Sequence, residues 1–291
     1  MNPQVPRSKQ LQRAAWALGL ALLLSALPQA WGREGVDVGK NSAFTKLVPA
    51  QDMERAAAQQ YLQLQQQAAS KHALLPKDHP QAQRLRAIAR RMIPFALEWN
   101  PRAGDWKWAV SLIQSPQINA FCMPGGKIAF YTGILDKLQL SDDEVAVVMG
   151  HEIAHALREH ARERMGKSAV THGAARIGGA LAAGMLGIDP RLTDGLARGG
   201  ASLLTLEFSR ENEAEADLVG MELAARAGFD PRAGVTLWQK MGAASKGAPP
   251  QWLSTHPSGK RRIAEIEKNL PKVMPLYERS RLARKAGGSN Q

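Results

Sequence analysis

The sequence is nearly devoid of cysteine. Cys122 is the only one among 291 residues, so no disulfide can form within the chain, even in an oxidising compartment. No cysteine stands directly after the N-terminal apolar run either, which argues against a lipid anchor. Aromatic residues are scarce at 5%, and nowhere do they interleave with a basic patch, so nucleic-acid binding has little support. The apolar run from Ala14 to Leu27 falls short of the ~20 residues that a spanning helix needs. There is no internal repeat and no second-domain linker, so a single folded domain is the economical reading.

What is present is ordinary globular material. The chain is 44% hydrophobic and 22% charged, enough to bury a core at this length. Its net charge of +12 is concentrated at the ends. Arg7, Lys9 and Arg13 precede the apolar run, and Arg279, Arg281, Arg284 and Lys285 crowd the last 13 residues. Basic residues, a short apolar stretch and the small triplet Ala30-Trp31-Gly32 spell a secretory signal peptide over 1–32. The other reading is a retained anchor helix. The expectation is therefore export to the periplasm, with peripheral contact to anionic lipid allowed, a folded domain over 33–278 and a basic flexible tail over 279–291.

Hydrophobic spacing predicts a mainly helical α+β fold. Residues 52–71 and 81–97 read as helices, with Leu62, Leu64 and Ala68 marking the inner face of the first. Residues 106–113, 118–123 and 127–132 read as strands, and Pro124-Gly125-Gly126 as a tight turn. Ser141 with Glu144 forms a capping-box pattern and opens a helix expected to run to about Arg164. A helix over about 205–227 follows a Gly/Ala-rich stretch, 168–204. Asp230 then caps another to about Lys240, and a last amphipathic helix closes the domain.

The chemistry is carried by His151-Glu152-Ile153-Ala154-His155, an H-E-x-x-H pattern inside a helix. Residues four apart share a face, so both imidazoles can hold one metal ion, with Glu152 beside it as a base. The surrounding helix is otherwise mostly apolar, which makes a merely solvated face a poor explanation. A catalytic zinc ion wants a third protein ligand. Arg158 and Ala161 occupy the positions where an extended motif has Gly and His, so the third ligand comes from elsewhere. His160 is one residue off that pattern and is expected behind the site or at the surface. Glu213 and Asp217 lie four apart in an acidic segment, which makes Glu213 a candidate ligand and Asp217 a candidate for orienting a ligating histidine.

These stretches, with Ser141–Gly150 ahead of the motif and Ser209–Asp217 after it, resemble the HtpX-like and CAAX-prenyl-protease gluzincins of peptidase family M48. Asn119-Ala120-Phe121, Pro124-Gly125-Gly126 and Thr255-His256-Pro257-Ser258 extend the resemblance from about residue 80 to 270. It implies a zincin-type fold with a small β-sheet beside the motif helix. It also implies one Zn2+ per chain on His151, His155 and Glu213, and a role in protein quality control on misfolded or unassembled envelope proteins. By the chemistry of the site, Glu152 would take a proton from water, and His256 is the candidate to steady the oxyanion, the other reading being a loop histidine beside Pro257. Asn119 and Phe121 are candidates for a sheet edge that pairs with substrate, a core placement of Phe121 being the other reading. A chaperone of the same fold that cleaves little is the competing reading. An intact Glu152 speaks against it.

Overall fold

The structure is a computed structural model that describes residues 33–176, 203, 206–245, 250–256 and 260–288. The chain divides into two units, Met1–Glu34 and Gly35–Gln291, and the second carries everything that follows. The expected signal peptide, the run from Ile177 to Ile188 and Pro257 all lie outside the described residues. Among those described, no helix is long and apolar enough to cross a membrane.

Two helices precede the sheet, α1 (Ala50–Ser70) and α2 (Pro80–Met92). The core face of α2 is the expected one, with Leu85, Ile88, Ala89 and Met92 all buried. On α1 the expected spacing holds in part, with Ala68 buried and Leu64 half-buried. Met53, Ala56, Ala57 and Tyr61 point inward while Leu62 is 54% exposed. Tyr61 decides this register, because its buried hydroxyl binds Ser111 Oγ and Ile128 O, each at 2.8 Å.

Strands β1 (Ala109–Ile113), β2 (Ala120–Met123) and β3 (Lys127–Tyr131) form a sheet in the order β1-β3-β2. β3 runs parallel to β1 and antiparallel to β2, with Met123 opposite Lys127. Gly125 and Gly126 turn that hairpin with φ of +80° and +73°, a conformation that costs glycine little. Within the described residues β2 is an outer strand, bonded only to β3 on its sheet side.

Among the described residues, six helices follow the sheet before the long final one. α3 (Thr132–Leu138) leads to α4 (Asp142–Leu157), which carries the H-E-x-x-H pattern and starts on the expected capping box. α4 ends at Leu157, not near Arg164. Glu159 adopts φ +58°, and α5 (His160–Arg176) starts anew in a different direction. Asn100 Nδ2 donates to Leu157 O at 3.0 Å and satisfies part of the broken end. α6 (Arg210–Arg226) begins at Ser209, whose side chain is paired reciprocally with Asn212, so the expected start near 205 is corrected. α7 (Ala233–Ala244) starts three residues after Asp230.

After the short α8 (Gln251–Thr255), α9 runs from Lys260 to Gly288. The flexible tail expected from 279 is therefore helical. Arg281 pairs with Glu278, Arg284 donates to Ala227 O at 2.9 Å and also binds Gly228 O, and Ser280 reaches Arg226 O. The basic residues that suggested a solvated tail are good helix formers, and one of them, Arg284, has carbonyl acceptors within reach.

Two close approaches fix the centre of the fold. α4 crosses α6 at Gly150 and Gly220, where a Cβ on Gly220 would lie 2.5 Å from His151 N and one on Gly150 2.5 Å from Gly220 O. Only hydrogen at both positions allows backbones to meet so closely. The segment from Gly35 to Val48 wraps the far side. Val36 N donates to the buried Glu222 at 2.8 Å, Gly39 O accepts from Arg158 at 2.9 Å, and Arg162 holds Thr45 O and Val48 O.

Candidate metal centre

Three elements converge on one buried spot. α4 supplies His151, Glu152 and His155, α6 supplies Glu213 and Asp217, and the end of α8 supplies His256. All are buried, the first four at 2–3% exposure. The glycine crossing is the reason. It brings the two helices within backbone contact just one residue from His151.

The donor atoms are spaced as a metal requires. His155 Nε2 lies 3.0 Å from His151 Nε2 and 3.5 Å from Glu213 Oε1. His151 Nε2 lies 3.5 Å from Glu213 Oε2 and 3.3 Å from His256 Nδ1, which is 2.9 Å from Glu213 Oε1. Zinc bonds of about 2.0–2.1 Å at a tetrahedral angle put ligand atoms about 3.4 Å apart. Four donors within 4.8 Å of one another, three of them imidazole, therefore fit one zinc ion. Placing His151, His155 and Glu213 together agrees with the sequence expectation. His256 comes closer than expected. Its Nδ1 stands at the fourth corner of the donor set.

The groups behind the ligands are ordered too. Asp217 Oδ1 faces His151 Nδ1 at 3.1 Å, which is where the sequence pattern placed it. Arg262, at the start of α9, grips Asp217 through two bonds of 2.6 Å and Glu213 through one of 2.7 Å. Sequence reasoning missed Arg262. It also missed Trp252, whose indole N–H donates to Glu152 Oε1 at 2.6 Å. The only cue to either is proximity to the His256 segment in the chain. Glu211 is exposed, and Glu215 pairs with Arg158 instead of joining the donors.

Electrostatics separate the two motif histidines. Burial disfavours the charged form of His151, but hydrogen bonds to Asp217 and Glu213 outweigh it and hold the pKa up at about 9. Burial pushes His155 well below the usual range, helped by the neighbouring His151. Burial alone would raise Glu213. Its bonds to His151 and His256 prevail and hold it far below the carboxylate range. Asp217 resists burial in the same way, chiefly through the Arg262 charge.

A narrow cleft opens beside the donors. Glu152 and His155 form its floor, residues 119–124 one wall, and Phe208, Thr255 and His256 the other. Asn119 and Phe121, the expected substrate-contacting positions, are half-buried along this wall on and just before β2. Phe208 stacks on the His155 ring at 4.0 Å between centroids.

A model of peptidase family M48 matches residues 78–270. The chain is 33% identical over 278 residues to the mitochondrial metalloendopeptidase OMA1 of Schizosaccharomyces pombe, covering 94% of this chain and 77% of that protein. It is 40% identical over 157 residues to the Arabidopsis thaliana protein of the same name, 53% of this chain and 30% of that one. It is also 31% identical over 177 residues to the beta-barrel assembly-enhancing protease of Escherichia coli, 58% of this chain and 36% of that one. These matches correct the expected periplasmic location. Relatives from fission yeast, Arabidopsis, cattle, budding yeast and human are all mitochondrial by name. The basic-apolar-small pattern that prompted the expectation lies in residues outside those described.

Proposed function

The chain belongs to peptidase family M48 and is a metalloendopeptidase with a site for one metal ion, and from that premise we propose that it cleaves unfolded or unassembled proteins in a quality-control role. The observation that carries the reading is the pairing of a zinc-spaced donor set with a sheet edge. β2 forms a wall of the cleft that has Glu152 on its floor. A peptide laid along such an edge is held by main-chain bonds and not by its sequence, which suits substrates recognised for being extended.

His151, His155 and Glu213 would hold the ion, which when bound supplies a Lewis acid and a water of lowered pKa. Glu152 serves as general base. Trp252 fixes one of its carboxylate oxygens, leaving the other to take a proton and return it to the departing amine. Asp217, held by Arg262, keeps the His151 ring turned toward the donor set. His256 stands between Glu213 and Glu152, with its Nε2 3.6 Å from Glu152 Oε1. As an oxyanion donor it would act from that side of the cleft.

The test is hydrolysis of an unfolded protein such as casein by the purified full chain. Activity that a chelator removes and zinc restores supports the reading. Binding of casein without cleavage, at any zinc level, would leave a chaperone of this fold as the answer.

A further inference from the structure

Each motif histidine gives one ring nitrogen to the donor set and keeps the other for a neighbour. For His151 the neighbour is the carboxylate of Asp217. For His155 it is another imidazole. His160 Nδ1 lies 2.9 Å from His155 Nδ1, and His160 is buried at 1% exposure. We propose that His160 is a positioning residue of the metal centre, accepting the Nδ1–H of His155 and so fixing that ring's tautomer and direction, with Glu215, itself paired with Arg158, lying beside its other nitrogen. This rests on the metal-centre reading above.

The fold brings His160 there by a deliberate break. In an unbroken helix a residue five positions on lies about 140° round the axis. Glu159 instead takes a left-handed conformation that ends α4 and swings His160 back beneath His155. Non-glycine residues adopt such φ values rarely. Phe208 packs on the His155 ring, so the ligand is held on its face as well as at its outer nitrogen.

The proton count is self-consistent. An imidazole that ligates through Nε2 carries its proton on Nδ1. His160 must then present a lone pair at Nδ1, which places its own proton on Nε2. That Nε2 is 3.4 Å from Glu215 Oε2, within charge-pair distance, although no hydrogen bond closes across it. Glu215 is bound to Arg158, whose other nitrogen donates to Gly39 O at 2.9 Å. The relay therefore ends on the backbone of the segment that wraps the fold.

Charge explains why this neighbour is an imidazole. Glu213 and Asp217 already face Arg262, and with Glu152 they carry three negative charges that Arg262 and a divalent ion would balance. A carboxylate directly on His155 would add an unpaired buried charge. His160 provides the acceptor without the charge, and Glu215, one ring farther out, is neutralised by Arg158.

The experiment uses the full chain with His160→Phe, which keeps ring volume and removes the acceptor, and His160→Asn, whose amide oxygen falls near the Nδ1 position. Zinc affinity is read by competition with a chromogenic chelator. Ligand-field bands are read after cobalt substitution, and melting is read on the chelator-stripped proteins. The expected result is a zinc affinity about 10–100-fold weaker for His160→Phe, with shifted cobalt bands, while His160→Asn stays near the parent in both. Parent-like affinity and bands in His160→Phe would overturn the proposal. So would equal weakening in both variants that tracks a fall in melting temperature, since that is packing alone. Should His160→Phe not fold, His160→Ala takes its place and the same outcomes decide. A parent chain that binds no zinc would instead sink the metal-centre reading, and the relay with it.

Discussion

Adding one methyl group at Gly220 should do more harm to metal binding than to folding. A Cβ there would lie 2.5 Å from His151 N, 2.6 Å from Gly150 C and 2.8 Å from His151 Cα, all backbone atoms that cannot rotate aside. Ordinary contact starts at 3.4 Å, so α4 and α6 must part by about 0.9 Å. Overpacking of this kind costs about 1–3 kcal/mol. Replacing helical glycine with alanine returns about 1 kcal/mol. The net loss is about 0–2 kcal/mol, and each kcal/mol shifts melting by about 2–4 °C at this size. Metal ligation tolerates only about 0.2 Å of error in bond length, and the separation carries Glu213 and Asp217 away from His151. Zinc affinity should therefore fall steeply in Gly220→Ala while melting changes little. Gly242→Ala is the control. Its Cβ meets nothing within 4 Å, so it should raise melting and leave zinc untouched. Titrating zinc into both variants and melting them after chelation decides the matter. The reasoning fails if Gly220→Ala behaves like Gly242→Ala in both measurements.

Glu152→Gln should keep its zinc and lose at least 100-fold in casein turnover, because it removes a base and no donor. Metal lost in step with activity would make Glu152 a ligand. Glu213→Gln should lose zinc on dialysis while Glu211→Gln, exposed and outside the donor set, keeps it. Metal content of the two purified proteins settles that comparison. In the chelator-stripped protein, His151 has its pKa raised to about 9. A raised histidine stabilises fully below about pH 6.5, and that contribution is lost as pH climbs through 9. His155 is shifted the other way, so its contribution is present above pH 6.5 and lost on acidification. Of these two histidines only His151 changes between pH 6.5 and 9, and denaturant melts should show from it a loss on the order of 3 kcal/mol. Zinc-loaded protein should show none of it, since the metal replaces the proton. A flat profile in the stripped protein would remove the assigned His151 contacts.

The legible parts of this site were those that local spacing encodes. His151 with His155 and Glu213 with Asp217 are each four apart, and a helix puts such pairs on one face without further information. The capping box at Ser141 and the Gly125-Gly126 hairpin are equally local. What escaped the sequence depends on contacts across the fold. Gly150 and Gly220 look like helix weak points until the two helices are seen to cross there. Arg262 and Trp252 matter only because the starts of α9 and α8 lie beside α6 and α4. Glu159 gives no compositional warning that it will break a helix of good formers. On α1, Leu62 was misplaced for a related reason. A buried hydroxyl bond from Tyr61 outweighed the leucine pattern, and Leu62 was left in solvent.

The hydrogen bond between Val36 and Glu222 has a consequence in time. Its partners are 186 positions apart. At the roughly 5–20 residues per second of synthesis, Val36 waits on the order of 10–40 s for the carboxylate that receives it. His256 follows Glu222 by 34 further positions, so the donor set is complete later still. A nascent copy therefore holds its H-E-x-x-H helix before it holds a cutting site. During the interval when it is itself an unfolded protein, it has no centre with which to cleave its siblings.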